Sequence, residues 1–353
     1  GRPVEFSVNE FTGALGDSVT VFPVVVAIGA LTELSLAQLL LGFAAFQVIW
    51  GIYYGLPMSV EPMKALAALV IAGSLTAAEL AVAGLLAGGV LLVIGGTGTL
   101  GRITAYVGQP VIRGIQLAVA LILLETGFRL SLDDVTLALL AASIAAVAVF
   151  AGYRRASALV VLGVGVGITI TQAGLSLPSA PALTLGVPSL HSVSIAAMEG
   201  TVAQLAMTVG NAAVATSLLL SDYYEADVSA DELATSMGAM NLLAIPLGAM
   251  PMCHGSGGVA GKYAFGARTA GSNLILGSIY AIAAVVGVGI VAAFPLSMLG
   301  VVLGLIAIEL GRAGIDTEQL SLAVGIGVLG LVTNVGFAFV VGTAWYLVVD
   351  RTR

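Results

Sequence analysis

Apolar stretches long enough to cross the hydrocarbon core of a membrane recur along the whole of this 353-residue chain. A helix needs about 20 such residues for one crossing. Charged residues make up only 9% of the sequence, whereas a soluble domain carries about 25%. Glycine is abundant, at 46 residues, as expected where membrane helices pack closely. The sequence therefore predicts an all-α integral membrane protein whose surroundings are the lipid bilayer.

Polar breaks divide these stretches into fourteen candidate membrane segments. Seven precede a connector with Pro178, Pro181 and Pro188, and they lie near 13–31, 36–54, 58–73, 78–97, 110–127, 134–151 and 157–173. The other seven lie near 198–220, 231–249, 254–265, 271–293, 298–312, 319–332 and 335–350. The third and tenth segments are short for a full crossing, and each follows a break that contains proline. We expect these two to be half-helices.

The two halves of the chain repeat one pattern. A shift of 194 residues aligns Gly16–Asp17 with Gly210–Asn211, Gln47 with Asn241, and Pro57–Met58 with Pro251–Met252. Because each copy has an odd number of segments, the second copy must enter the membrane in the opposite sense. We therefore predict two inverted repeats, 7–177 and 195–350, within a single membrane domain, 1–353. Such repeats with interrupted segments at matching places are typical of secondary transporters.

The basic residues are distributed unevenly between the predicted loops. With the N-terminus in the cytoplasm, the cytoplasmic side receives Arg2, Arg102, Arg154, Arg155, Lys262, Arg268, Arg312, Arg351 and Arg353. Only Arg129 falls outside. This bias is the one expected of cytoplasmic loops, so we predict a multi-pass protein of the plasma membrane with both termini in the cytoplasm. The net charge of -7 argues against nucleic acid as a partner.

Two interruptions of the apolar pattern point to a binding site. The first, Gly55–Lys64, contains Pro57 and Pro62, which prevent a continuous helix. The second, Gly248–Gly261, is rich in glycine, which lets a backbone approach a ligand closely. Non-helical backbone at membrane depth is tolerated only where it is buried in protein or lines a cavity. Two half-helix N-termini that face each other would suit an anion without any arginine; the alternative is that the prolines only kink two packed helices.

Several ionisable side chains lie in or beside these segments. Lys64 is placed to face an anion, or else to form an i, i+3 ion pair with Glu61. Asp17 lies inside the first segment, and an intramembrane carboxylate is a functional candidate, although it could instead cap a helix end. His254 could donate to an oxyanion or titrate near neutral pH, or serve only as a structural hydrogen-bonding group.

The eighth segment carries a polar stripe. Gln204, Thr208 and Asn211 recur at helical spacing, and they either face a cavity or hold helices together. Glu125 and Glu309 occupy matching places late in each half, which favours structural or gating roles over ligand binding.

The sequence offers no sign of an enzyme. It has no Walker A pattern, no convincing nucleophile–base pair, and too few His and Cys for a metal site (two and one). We therefore expect neither catalysis nor a cofactor.

Three stretches resemble the molybdate transporter family that is distantly related to the sulfate permeases. They run from Asn9 to Pro23, from Leu56 to Ala65, and from Pro251 to Thr269. The resemblance implies the fourteen-segment inverted-repeat fold of uracil and sulfate permeases, with substrate held between the third and tenth segments. This chain departs from the family at Ser18 and Val19, where Leu and Gly are expected, and at Glu61, where Gln is common.

The residues and the resemblance together predict a secondary active importer of molybdate that works by alternating access. A core of segments 1–4 and 8–11 would move against a gate of segments 5–7 and 12–14. Backbone N–H groups and side chains predicted to bind the dianion are those of Ser59, Val60, Lys64, Gln204, Thr208, Asn211, His254, Gly255, Ser256 and Gly257. Asp17 and Glu61 are the candidates for coupling uptake to protons or another cation.

Three alternatives remain open at this point. The same fold could carry sulfate or tungstate, which are tetrahedral dianions of similar shape. A proton-coupled nucleobase transporter would need a carboxylate to bind the base, for which Glu61 is the obvious candidate. An anion channel would show fast conductance instead of saturable uptake. Dimers are usual among relatives of this fold, so we also expect a homodimer.

Overall fold

The computed structural model describes residues 3–104, 107–174, 185–186 and 188–350, which form a bundle of helices with two very short strands. The elements of the first half are α1 (Val8–Leu31), α2 (Leu36–Tyr54), β1 (Glu61–Pro62), α3 (Lys64–Ile71), α4 (Ala77–Thr97), α5 (Leu100–Thr104), α6 (Gln109–Ser131), α7 (Val135–Phe150) and α8 (Ser157–Ala173). A 3₁₀ turn at Arg154–Ala156 precedes α8.

The second half follows a similar order. Its elements are α9 (Ile195–Met207), α10 (Thr216–Tyr224), α11 (Ala230–Ala244), β2 (Met252–Cys253), α12 (Ser256–Ala264), α13 (Gly271–Val286), α14 (Val288–Ala292), α15 (Leu296–Gly314), α16 (Leu320–Val332) and α17 (Val335–Asp350). A π-helix, Thr208–Ala215, joins α9 to α10. Further 3₁₀ turns lie at Leu190–Ser192 and Ile245–Leu247.

Side-chain caps account for several helix starts. The Ser7 hydroxyl accepts a hydrogen bond from the Glu10 N–H (3.3 Å), so α1 begins at Val8 and not near residue 13. Thr76 and Glu79 form a reciprocal capping box that starts α4. Such caps satisfy N–H groups that have no partner within the helix.

Two predicted segments end earlier than the apolar pattern indicates. The segment expected at 231–249 leaves the α-helix at Ala244, because Pro246 cannot donate a backbone hydrogen bond and Gly248 adopts a left-handed conformation (φ 80°). The segment expected at 271–293 is interrupted at Gly287, which separates α13 from α14. Hydropathy alone does not register such breaks. Pro178, Pro181, Arg2, Arg351 and Arg353 lie outside the described residues.

Within the described residues, seven helical stretches are long and apolar enough to span a membrane. They are Val8–Leu31, Leu36–Tyr54, Ala77–Thr97, Gln109–Ser131, Arg154–Gln172, Ile195–Tyr224 and Leu296–Gly314. Four shorter apolar helices accompany them, at Val135–Phe150, Gly271–Val286, Leu320–Val332 and Val335–Val348. The chain is therefore a multi-pass helical membrane protein.

The two strands pass each other in opposite directions in the buried interior of the bundle, and this place is the strand crossing. Residues 56–63 and 250–255 are buried throughout, and β1 pairs antiparallel with β2 so that Glu61 lies opposite Cys253. The Met63 N–H also donates to the Pro251 carbonyl (3.0 Å). Because each strand leads directly into a short helix, the N-termini of α3 (eight residues) and α12 (nine residues) lie beside each other.

Helices of the first half pack mainly against helices of the second. α1 packs on α12, α2 on α13, α4 on α11, and α6 on α15 and α16. Some of these contacts are very close. A Cβ added at Gly300 would lie 2.4 Å from the carbonyl oxygen of Gly127, so α6 and α15 can approach only because this position has no side chain.

Candidate functional site

The crossing of the two strands brings buried polar groups together, and Glu61 lies at its centre. The Glu61 side chain is 1% exposed. Its Oε1 accepts a hydrogen bond from the Gly258 N–H (2.6 Å) in the first turn of α12. Its Oε2 lies 2.6 Å from the Lys64 ammonium, at ion-pair distance. The ion pair predicted as the alternative role of Lys64 is therefore present, and the Glu61 carboxylate lies at the positive end of α12.

Glycines at the start of α12 make room for this carboxylate. A Cβ on Gly255 would lie 1.9 Å from the Glu61 carboxyl carbon, and one on Gly257 would lie 3.7 Å from Oε1. Gly255 is the N-cap and makes no side-chain cap, so Glu61 supplies the negative charge that this helix start favours. Ser256 is half-buried and Gly257 is exposed, so the first turn of α12 is not sealed.

The start of α3 is capped from another helix. Gln204 Oε1 accepts hydrogen bonds from the Ala65 N–H (2.9 Å) and the Leu66 N–H (3.4 Å). Gln204 Nε2 in turn donates to the Thr208 hydroxyl (2.9 Å). Two members of the predicted polar stripe therefore lie against the site. Asn211 is half-buried in the π-helix and takes no part in this pair of contacts.

His254 has partners at both ring nitrogens. Nδ1 lies 3.1 Å from the Ser59 carbonyl and Nε2 lies 2.8 Å from the Ser236 hydroxyl. A carbonyl only accepts, so Nδ1 carries a proton and donates to Ser59. Trp50 and Tyr54 stand edge-on to the ring at 5.8 and 5.9 Å. These contacts match the structural role weighed for His254.

A second buried cluster surrounds Asp17 and contacts the strand crossing through Ser59. Its Oδ1 accepts from the Ser59 hydroxyl (2.6 Å). Its Oδ2 accepts from Gln47 Nε2 (2.9 Å) and lies 3.1 Å from the Lys262 ammonium. Asp17 is the tenth residue of α1 and is fully buried, so the interpretation of this residue as a helix-end cap is wrong.

The assignment of Lys262 to a cytoplasmic loop is also wrong. Lys262 lies in α12 with no exposed surface. Its ammonium donates to Gln47 Oε1 (3.0 Å), the Met58 carbonyl (2.6 Å) and Asn273 Oδ1 (2.9 Å). A buried charge needs such partners because desolvation is costly. Its place within the predicted segment 254–265 was the signal that it is buried inside the bundle.

Gly258 connects the two clusters. A Cβ at this position would lie 2.0 Å from the Ser59 hydroxyl and 2.1 Å from Asp17 Oδ1. The same residue donates its N–H to Glu61. Val60, between Ser59 and Glu61, accepts at its carbonyl from Gln47 Nε2 (3.2 Å). The irregular backbone is thus held by buried side chains, as its depth requires.

One cavity borders Lys64, and a larger one lies at the C-terminal end of α3. A narrow gap of about 10 Å³ beside Lys64 is lined by side chains of α1, α3, α6 and α15. A larger cavity of about 370 Å³ lies where the ends of α3, α6 and α16 meet the starts of α9 and α17. Its charged lining residues are Glu125, Arg129 and Glu199, and Glu125 is paired with Arg129 (2.5 Å). Glu309, its counterpart in the second half, is paired with Arg154 instead.

The residues that the structure describes contain no group of three or more His, Cys, Asp or Glu that could hold a metal ion. Cys253 is a buried free cysteine. Its Sγ donates weakly to the Pro62 carbonyl (3.8 Å), as a small buried hydrophobic residue can.

Comparison with solved structures defines the fold of this helical membrane bundle. The transmembrane domain of a cyanobacterium bicarbonate transporter, BicA, superimposes with a TM-score of 0.72 at 16% identity, and the match covers 94% of this chain and 97% of that one. The fold is therefore the one shared by sulfate-permease-like transporters.

The sequence comparisons then give the family. The profile described as "Molybdate transporter of MFS superfamily" matches residues 9–123 and 196–310. Molybdate transporter 1 of Arabidopsis thaliana is 30% identical over 96% of this chain and 87% of its own length. Molybdate transporter 2 of the same plant is 28% identical over 88% and 80%. The chain belongs to the molybdate transporter family, which confirms the resemblance and identifies it as a transporter and not an enzyme.

Proposed function

We propose that this chain is a secondary active transporter that imports molybdate by alternating access. One observation carries the proposal, namely that the N-termini of α3 and α12 meet at a buried strand pair with the Lys64 ammonium beside them. Such helix ends favour a negatively charged ligand. The relatives named molybdate transporters support molybdate as that ligand.

We further propose that the membrane part consists of fourteen segments in two inverted repeats. The packing supports this arrangement. In the proposed repeats α2 corresponds to α11 and α4 corresponds to α13. The contact of α2 with α13 is therefore the repeat-related counterpart of the contact of α4 with α11, and both contacts are present. The family profile also matches once in each half. The seven long helical stretches, the four shorter ones, α3, α11 and α12 together give fourteen.

The moving parts in this proposal are a core of α1–α4 with α9–α14 and a gate of α6–α8 with α15–α17. Both cavities support this division, since each is lined by elements of the core and of the gate. Motion of one set past the other would change which side of the membrane reaches Lys64.

The proposed orientation places both termini in the cytoplasm of a cell whose plasma membrane holds the protein. Lys262 no longer counts toward this orientation. Arg154 and Arg312 still do, since both lie near the same Glu309 carboxylate and thus at one face of the bundle (2.9 and 3.6 Å). Arg129 lies in the last turn of α6, which is at the opposite face in this topology. The distribution of Arg residues continues to favour this orientation.

Uptake in this direction needs a driving ion. Moving two negative charges against an inside-negative potential of about 100 mV costs about 4.6 kcal/mol, at roughly 2.3 kcal/mol per charge. We therefore propose coupling to protons or another cation, with Asp17 and Glu61 as the groups involved. Both are buried beside the strand crossing.

Uptake into proteoliposomes tests the proposal. Saturable molybdate uptake that a protonophore abolishes is expected, with uracil not taken up. Lys64→Ala should impair uptake, whereas Arg155→Ala, which removes an exposed cation, should leave it unchanged. Equal uptake of sulfate would remove the specificity for molybdate, and fast unsaturable conductance would replace the transporter by a channel.

A further inference from the structure

The place where an oxyanion would meet the start of α12 is already occupied by a carboxylate of the chain itself. Glu61 accepts the Gly258 N–H and lies against the Lys64 ammonium. These are the two kinds of group, a helix-start N–H and a cation, that bind tetrahedral oxyanions in proteins. Glu61 therefore occupies the N–H group and the ammonium that an oxyanion substrate would bind.

The Glu61 carboxylate and an oxyanion cannot both accept from the same helix-start N–H. Oε1 already lies 2.6 Å from the Gly258 nitrogen, and Oε2 lies 2.6 Å from the Lys64 ammonium. An oxyanion can reach both groups only if the carboxylate moves aside. The backbone of β1 and β2 is held by their pairing, whereas the Glu61 side chain can change position by rotation about its single bonds.

The contacts of Glu61 also show which part can leave. Oε1 accepts one hydrogen bond from the Gly258 N–H, and Oε2 contacts the Lys64 ammonium at 2.6 Å. The room that the carboxylate occupies exists only because Gly255 has no side chain. Movement of the Glu61 carboxylate would thus free the Gly258 N–H, which lies in the same helix turn as the exposed Gly257.

We propose that Glu61 is a tethered competitor of the substrate, so that the oxyanion binds by displacing the Glu61 carboxylate from Gly258 and Lys64, and the displaced carboxylate takes up a proton. This inference rests on the proposed function. Proton uptake follows because a dianion and an ionised carboxylate close together in a buried site repel each other strongly. One displaced Glu61 would then bring one proton with each oxyanion.

Other ionisable groups face Glu61 and must be distinguished from it. They are Lys64 on α3, Asp17 on α1, Cys253 on β2, Lys262 on α12 and Tyr280 on α13. Each of these would remain in a Glu61→Gln variant. Loss of proton uptake in that variant therefore assigns the proton to Glu61.

The test is calorimetric binding of molybdate to the detergent-purified full chain in two buffers of different ionisation enthalpy, which counts the protons taken up. The wild type should take up about one proton per anion, so its affinity should fall about tenfold for each unit of rising pH. Glu61→Gln should take up none, bind independently of pH, and bind at least about tenfold more tightly at pH 8. Glu33→Gln, which removes an exposed carboxylate, should behave as the wild type.

A further variant separates displacement from a general effect of charge. Glu61→Asp keeps the negative charge but is too short to hold the same contact with Gly258, so displacement predicts tighter binding than in the wild type. An unchanged affinity in Glu61→Asp would contradict displacement, as would weaker binding or undiminished proton uptake in Glu61→Gln. Wild-type protein that melts cooperatively but binds no tetrahedral oxyanion at any pH would instead overturn the proposed function, and with it this inference.

Discussion

The buried ion pair between Lys262 and Asp17 should contribute strongly to the stability of the fold. The two charged groups are 3.1 Å apart, and neither side chain has exposed surface. Lys262→Met replaces the lysine by an unbranched side chain that cannot donate hydrogen bonds. The Asp17 carboxylate then keeps its hydrogen bonds from Ser59 and Gln47 but loses its counter-charge.

The magnitude follows from this geometry. Breaking a buried pair by removing one partner costs about 3–5 kcal/mol, because the other charge stays buried and uncompensated. At about 2 °C per kcal/mol for a large domain, the melting temperature should fall by roughly 6–10 °C. Removing both charges should cost much less, so the double variant Asp17→Asn/Lys262→Met should recover at least half of the loss.

Thermal unfolding of the detergent-purified protein, followed by intrinsic fluorescence, measures these differences. Arg155→Met is the matched control, since it removes an exposed cation and should change stability by less than about 0.5 kcal/mol. The reasoning would be refuted by a Lys262→Met variant that melts with the wild type, or by a double variant that is no more stable than the single one.

Three further substitutions test the packing around the site. Gly258→Ala should abolish molybdate uptake, because the added Cβ would lie only 2.0 Å from the Ser59 hydroxyl and 2.1 Å from the Asp17 carboxylate. Gly89→Ala, whose Cβ would have nothing within 4 Å, should transport normally. Gln204→Leu should lower the free energy of unfolding by about 1–3 kcal/mol, since it orphans the buried N–H groups that start α3; Gln172→Leu, at an exposed position, should have little effect in the same melts. Glu309→Gln should cost less than about 1 kcal/mol, because its ion pairs are half-exposed, and a larger loss would show that these pairs act as a network.

The positions of the helices could largely be predicted from the sequence. The predicted segments 36–54 and 157–173 coincide with α2 and α8, since apolar runs and Gly55, which is left-handed (φ 63°), define their ends. The prolines and glycines of the two interruptions also indicated where the chain leaves the helix. Boundaries set by a single cap, such as Ser7 before α1, depend on a hydrogen bond that hydropathy does not contain.

The partners of the charged residues could not be predicted. Asp17 was singled out as an intramembrane carboxylate, but its cation, Lys262, lies 245 residues away in the sequence and was counted with the basic residues of the cytoplasmic side. Gln204 lies 139 residues from the N–H group that it caps. Periodicity shows which face of a helix is polar, but it does not show which other helix supplies the partner.

The location of Glu61 shows the same limit. The sequence placed it one turn before Lys64, so an ion pair between the two was an open alternative. Its other oxygen binds the first turn of α12 because β1 pairs antiparallel with β2. Strands of two residues are too short to be predicted from a sequence pattern.

The central claim is that the oxyanion binds where α3 and α12 begin, and anomalous scattering tests it most directly. Tungstate is a strong anomalous scatterer of the same shape and charge as molybdate. Diffraction from crystals grown with tungstate should show one peak about 4 Å from the Gly258 nitrogen and the Lys64 ammonium, because the tungsten lies behind an oxygen that accepts hydrogen bonds of about 3 Å. A peak only in the larger cavity beside Arg129, or none in protein that binds tungstate in solution, would contradict the account.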